Sequence, residues 1–223
     1  MNVSTTGMQG YEYQYKITLL IYLIHHAENL QLYVETAGDE DALLALELNN
    51  VKTRIQIQVK HEKGSLNTVK LVDWLTHFEE RRDNASLIQR LKDKKDDIVL
   101  FVTRSRCSDE TVFLNSEYDR LNFHVNLKLS REQKQNIITA LGQTKHGSSK
   151  LMRARESFDI KLAQTLKQNK SLEKLLSGVV IWEEFSDAKV DSTIVNILTS
   201  KHQIASSLYP SDQPHIASGF LNA

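Results

Sequence analysis

An acid at position 41, an amide at 58 and a lysine at 60 are residues whose types and spacing can do chemistry together. Asp41 stands at the entry to one predicted strand, and the next strand alternates without a fault. Ile55, Ile57 and Val59 point one way, while Gln56, Gln58 and Lys60 point the other, because strand side chains have a period of two. The second set is expected to form a wet face. An acid on one strand, with an amide, one residue and a lysine on its neighbour, can hold a divalent cation beside an ammonium group. Such a site activates water against a phosphodiester. Magnesium takes oxygen ligands and keeps several waters, so the Asp41 carboxylate, the Gln58 amide oxygen and the Val59 backbone carbonyl are enough protein. The cation would stabilise charge on the scissile phosphate and lower the pKa of its bound water. Lys60 would orient the attacking water or stabilise developing negative charge. The plainer alternative makes Asp41 a turn cap and Lys60 a solvated strand end.

The elements that must position these residues can be read from periodicity. Tyr11 to Glu28 is predicted as a helix, with Ile17, Leu20, Ile21 and Ile24 at helical spacing. Gln14 shares that buried face and needs a partner there, either neighbouring backbone or the site itself. Leu30 to Glu35 is the first strand, Thr36 to Glu40 an acidic turn centred on Gly38, and Asp41 to Leu48 the second strand. Asn49 and Asn50 form a tight hairpin, since asparagine tolerates left-handed backbone. The third strand runs to about His61, and Glu62 to Asn67 breaks the pattern. Helices are predicted over Thr68 to Arg82 and Asn84 to Lys95. Ile98 to Thr103, a continuous apolar run, reads as a strand buried on both faces. Beyond it, Leu121 to Leu129 reads as a strand, and Ser130 with Gln133 as a capping box opening a helix to about Leu141. Gly142 to Ser149 is a loop, Lys150 to about Leu176 a helix, Val179 to Phe185 a strand, and Val190 to Thr199 a short helix.

The totals bound the possibilities. The chain has 223 residues, with 28 basic and 28 acidic side chains, so a nucleic-acid partner would need a local basic face rather than overall charge. The single cysteine, Cys107, excludes an internal disulfide framework and suits a reducing compartment. The opening ten residues are short, polar and uncharged, unlike a secretory leader. The longest apolar run, Ile17 to Ile24, is too short to span a bilayer. A cytoplasmic protein without a membrane partner is expected.

Gly10-Tyr11-Glu12-Tyr13-Gln14 opening an apolar helix, then Glu35 with Asp41, then Gln56-Ile57-Gln58-Val59-Lys60-His61, resemble the PD-(D/E)xK restriction-endonuclease-like superfamily. More narrowly, they are similar to the N-terminal double-stranded-DNA endonuclease domain of CD-NTase-associated bacterial antiphage effectors. The resemblance runs motif by motif over residues 7 to about 103. It implies an α/β fold with a mixed central sheet flanked by helices, a magnesium ion that manganese can replace, and cleavage of double-stranded DNA. On this resemblance Asp41 is the metal-binding acid, Gln58 stands at the acid-or-amide position and Lys60 at the lysine. Gln14 is the glutamine of the first helix and Glu35 the acid before the turn. The departure is Gln58, an amide that gives the metal one negative charge fewer. Glu35 or Glu12 would restore it.

Other candidates carry less. His25 and His26 diverge by about 100 degrees on a helix, so one packs and one is solvated. His61 points away from Lys60, and Cys107 has no histidine partner. No Walker loop, CxxC or HExxH is present. Of two basic segments, Arg81, Arg82, Arg90, Lys92, Lys94 and Lys95 are diluted by acids. Lys145, His146, Lys150, Arg153 and Arg155 are diluted only by Glu156, so Lys145, Lys150, Arg153 and Arg155 are the expected DNA contacts. The nuclease domain is placed at residues 1–201, with its core at 7–103 and an extension over 104–201. Residues 202–223 hold both prolines, Pro210 and Pro214, and read as a tail or linker to a further sensor or oligomerisation domain. Self-association into a homo-oligomer stays open. The competing function is a catalytically inactive nucleic-acid-binding or assembly module of the same fold.

Overall fold

The computed structural model describes residues 5–25, 30–34, 42–48, 51–77, 85–94, 97–117, 127–168 and 171–200. The chain opens with α1 (Thr5–His25), followed by β1 (Leu30–Val34), β2 (Ala42–Leu48) and β3 (Val51–Lys60). A short β4 (Ser65–Leu66) leads to α2 (Thr68–Thr76) and α3 (Leu87–Lys92). Then come β5 (Ile98–Thr103), β6 (Arg106–Cys107) and a 3-10 turn at Val112–Leu114. Helices α4 (Arg131–Gln143), α5 (Lys150–Gln168) and α6 (Ser171–Leu176), strand β7 (Val179–Trp182) and α7 (Asp187–Ser200) complete the described fold.

The main sheet has the order β1-β2-β3-β5-β7. Its first three strands form an antiparallel meander, and β3, β5 and β7 run parallel. This is the expected α/β architecture with a mixed sheet between helices. β5 is buried along its whole length because its alternate residues serve two cores. Ile98, Leu100 and Val102 join Ile55, Ile57, Val180 and Trp182 under α1 and α7. Val99 and Phe101 join Val179 and Ile181 under α2 to α6. At about 25 cal/mol per Å² of apolar surface removed from water, two such layers dominate the stability of the fold.

Several boundaries differ from expectation. α1 begins at Thr5, six residues before the predicted start at Tyr11, since extending a helix is far easier than nucleating one. α2 stops at Thr76, with His77 leaving the helix at ψ 140°, so the predicted run to Arg82 is shorter in the described part. The segment 62–67 contains β4, which pairs in parallel with β6. The single predicted helix from Lys150 to Leu176 is two, α5 and α6. β7 ends at Trp182 because Glu184 adopts a left-handed φ of 55° and turns Phe185 back into the core. The capping box is present: the Ser130 hydroxyl accepts from Gln133 N, and the Gln133 side chain accepts from Ser130 N. Of the predicted strand at Leu121 to Leu129, the described residues Leu127 to Leu129 are not extended into a sheet. Among the described residues, no helix is long and apolar enough to cross a membrane. The tail 202–223 lies outside the described residues.

Candidate active site

The parallel register aligns Gln56 with Val99, Gln58 with Phe101 and Lys60 with Thr103. Phe101 tilts against Trp74 of α2 at a ring separation of 5.3 Å. Gln56, Gln58 and Lys60 therefore sit on the α2 side of the sheet. That side is covered rather than wet. Gln56 is fully buried and Gln58 is 8% exposed, while Lys60 is half-buried at the strand end. Alternation identified the polar face correctly. The helices that cover it come from residues 68–176, outside the strand itself.

Two of the predicted site residues are brought together: the Lys60 ammonium donates to Gln58 Oε1 at 3.4 Å. The strand end is held by its parallel neighbour, where Arg104 N donates to the Lys60 carbonyl at 3.4 Å. Thr103, next to it, is fully buried, and its hydroxyl accepts from Ser105 N. Asp41 and Glu35 lie outside the described residues. The last described pair of β2 with β3 is Ala42 with Ile57, and the next positions in the two sequences are Asp41 and Gln58. Gln14 is buried on α1, whose apolar stripe packs on the opposite face of the sheet. Glu12 is exposed and pairs with Lys16, which also reaches Asp191 of α7, on the α1–α7 side.

The opposite face at this edge is a packing network. Tyr13 donates its hydroxyl to the Phe185 carbonyl at 2.6 Å, and burial pushes its pKa up to about 12. Arg104 lies 4.7 Å over the Tyr13 ring and pairs with Asp187. His61 packs edge-on against Tyr13 at 5.3 Å, pointing away from Lys60 as expected, and burial lowers its pKa. Cys107 is buried, and its thiol is pushed up to about 12 by burial and then by the Glu183 carboxylate, so it is inert at neutral pH. His25 is buried, and His26 lies outside the described residues.

The basic segment forms the corner between α4 and α5. Lys145, Lys150 and Arg153 are exposed, as a phosphate contact requires. Arg155 is the correction here. It is 6% exposed and donates to the Gln89 side chain on α3, so it serves the interior. The corner is pinned from below: His146 N donates to Glu156 Oε1 at 2.8 Å, and His146 Nε2 meets Asp159 Oδ2 at 2.7 Å. Asp159 is fully buried, and desolvation raises its pKa against the pull of His146 and Arg155. Gly147 is required here because its φ of 128° is backbone that other residues rarely adopt.

One residue that the sequence placed on the polar face but gave no role stands out. The Gln56 amide is buried, and neither its oxygen nor its nitrogen finds a partner among the described residues. Such a group costs on the order of 1–3 kcal/mol. The signal was legible as Gln-x-Gln-x-Lys, an unusual polar row for a central strand.

No protein-family model and no curated protein matches this chain. Among solved structures, the Cap4 SAVED/CARF-domain-containing receptor of Moraxella osloensis is similar at 16% identity and a TM-score of 0.45, over 96% of this chain and 42% of that one. The chain thus spans less than half the length of that receptor, and a likeness at this level carries no functional conclusion.

Proposed function

We propose that the chain is a metal-dependent endonuclease that hydrolyses double-stranded DNA, with Asp41, Gln58 and the Val59 carbonyl holding the cation. The observation that supports this reading is the contact of Lys60 with Gln58 at the end of a central strand, where Asp41 is the next residue of the neighbouring strand's sequence. The donor set fits a hard cation in kind, because amide and carbonyl oxygens are what magnesium accepts, while the charge must come from Asp41 and Glu35. Bound there, magnesium would supply charge stabilisation at the phosphate and a water of lowered pKa. Gln58 orients an oxygen toward the strand end, and Lys60 keeps a positive charge beside it. Lys145, Lys150 and Arg153 offer phosphate contacts that position the duplex without reading its sequence. A role as effector of a bacterial antiphage defence protein is proposed from the motif resemblance alone.

The decisive experiment is plasmid nicking by the full chain with magnesium or manganese, its arrest by EDTA, and its loss in Asp41→Asn. Absence of metal-dependent nicking in a folded protein overturns the reading. A non-catalytic DNA-binding or assembly module is the second reading, favoured by the neutral amide at Gln58, whose oxygen already accepts from Lys60. It predicts duplex binding with no nicking at any metal concentration.

A further inference from the structure

We propose that Gln56 is a positioning residue for Gln58, acting through a bridging water buried between their amides. Its register partners on either side are Leu43 and Val99, and neither side chain can satisfy an amide. The next polar residue on the same face is Gln58, two residues on and about 6.8 Å away along the strand. Two hydrogen bonds through one water span about 5.6 Å, so one water can join the two amides, between which the structure makes no direct bond. A buried amide with no partner among the described residues calls for such a guest, since nearly all buried polar groups are satisfied. Lys60 already holds the Gln58 oxygen from the strand end. Gln56 would hold the amide from the opposite side, so Gln58 is set in orientation by a partner on each flank. The whole row, Gln56 to Gln58 to Lys60, then works as one polar unit.

The coupling itself needs no metal, and only the second readout rests on the endonuclease reading. Melting of Gln56→Met, Gln58→Met and the double variant is measured without metal, with Gln56→Leu as a second probe of the same position. The two single shifts are expected to fail to add by about 3 °C, the signature of groups that share a partner. Additive shifts overturn the proposal. Magnesium-dependent melting then gives a half-saturation concentration. It is expected to rise at least about threefold in Gln56→Met, because an unsteadied amide is a poorer ligand, while the metal-free melting point stays at or above that of the parent. An unchanged half-saturation concentration overturns the positioning role and leaves Gln56 a packing feature. Should the parent chain show neither a magnesium shift nor nicking, the endonuclease reading fails on its own, and the metal-free cycle still decides whether Gln56 and Gln58 are linked.

Discussion

Lys60 folds back along its own strand to place its ammonium 3.4 Å from the side-chain oxygen of Gln58. Same-face neighbours on a strand start about 6.8 Å apart at their backbones, so both long side chains must lean together to meet. Gln58 is buried and Lys60 half-buried, which places the charge at the boundary between the core and the open end of the sheet. A charge in that position is partly desolvated and acts strongly on whatever negative group approaches it.

Lys60→Ala should therefore separate chemistry from folding. The melting temperature is expected to move by no more than a few degrees, because the ammonium stands at the strand end and its loss opens no cavity in either core. Metal-dependent nicking should fall by about 100-fold to 1000-fold, the usual cost of removing a group that meets developing charge. A folded variant that nicks at the parental rate would remove this lysine from the mechanism.

Gln58 distinguishes a ligand from a structural amide. Gln58→Glu puts a carboxylate beside the Lys60 ammonium and should lower the magnesium concentration needed for nicking, whereas Gln58→Ala should raise it. A purely structural glutamine gives the opposite order: the glutamate loses several kcal/mol as a poorly compensated buried charge, and added magnesium fails to restore its melting point.

Charge at the α4–α5 corner should divide by exposure. Lys145→Ala, Lys150→Ala and Arg153→Ala are each expected to weaken duplex binding several-fold and to reduce the slope of log affinity against log salt by about 1. Arg155→Ala should leave that slope alone and instead destabilise the fold by about 1–3 kcal/mol, because it strips the partner from Gln89 inside the protein. Filter binding across a salt series, with melting alongside, reads both.

Asp159 makes a pH prediction. Its folded pKa is raised by burial, so its contribution to stability is fully present below the unfolded value of about 3.9 and is lost as pH rises through the folded one. Asp159→Asn cannot ionise and lacks that loss. Its melting point relative to the parent should climb as pH rises above the unfolded value, even though the contact with His146 is altered. A difference that stays flat with pH would mean that burial does not raise the pKa of this carboxyl.

What the sequence disclosed follows what is local. The run Ile98 to Thr103 is a strand with the predicted bounds because a strand buried on both faces needs no knowledge of its neighbours. The capping box at Ser130 and Gln133 is likewise contained within four residues. The pairing of Gln58 with Lys60 was legible for the same reason, since alternation puts both on one face. What alternation cannot say is whether that face is bare. The burial of Gln56 and Gln58 is decided by helices that begin at Thr68, and the withdrawal of Arg155 by Gln89 on another helix. Glu12, similarly, pairs with Lys16 one turn away, a lysine shared with Asp191, 175 residues further on.

The contact of Tyr13 with Phe185 spans 172 residues. Ribosomal synthesis proceeds from the N-terminus, so α1 emerges long before α7, the helix beside which it finally lies. Until then Ile17, Leu20 and Ile21 have only the strands of the sheet to cover them, and the side of that layer where α7 will pack stays open to other chains. A chain halted before Asp187 would keep all five strands of the main sheet yet leave this layer half-roofed. The arrival of α7 therefore closes this layer, and until then the nascent protein keeps an apolar surface that a chaperone would cover.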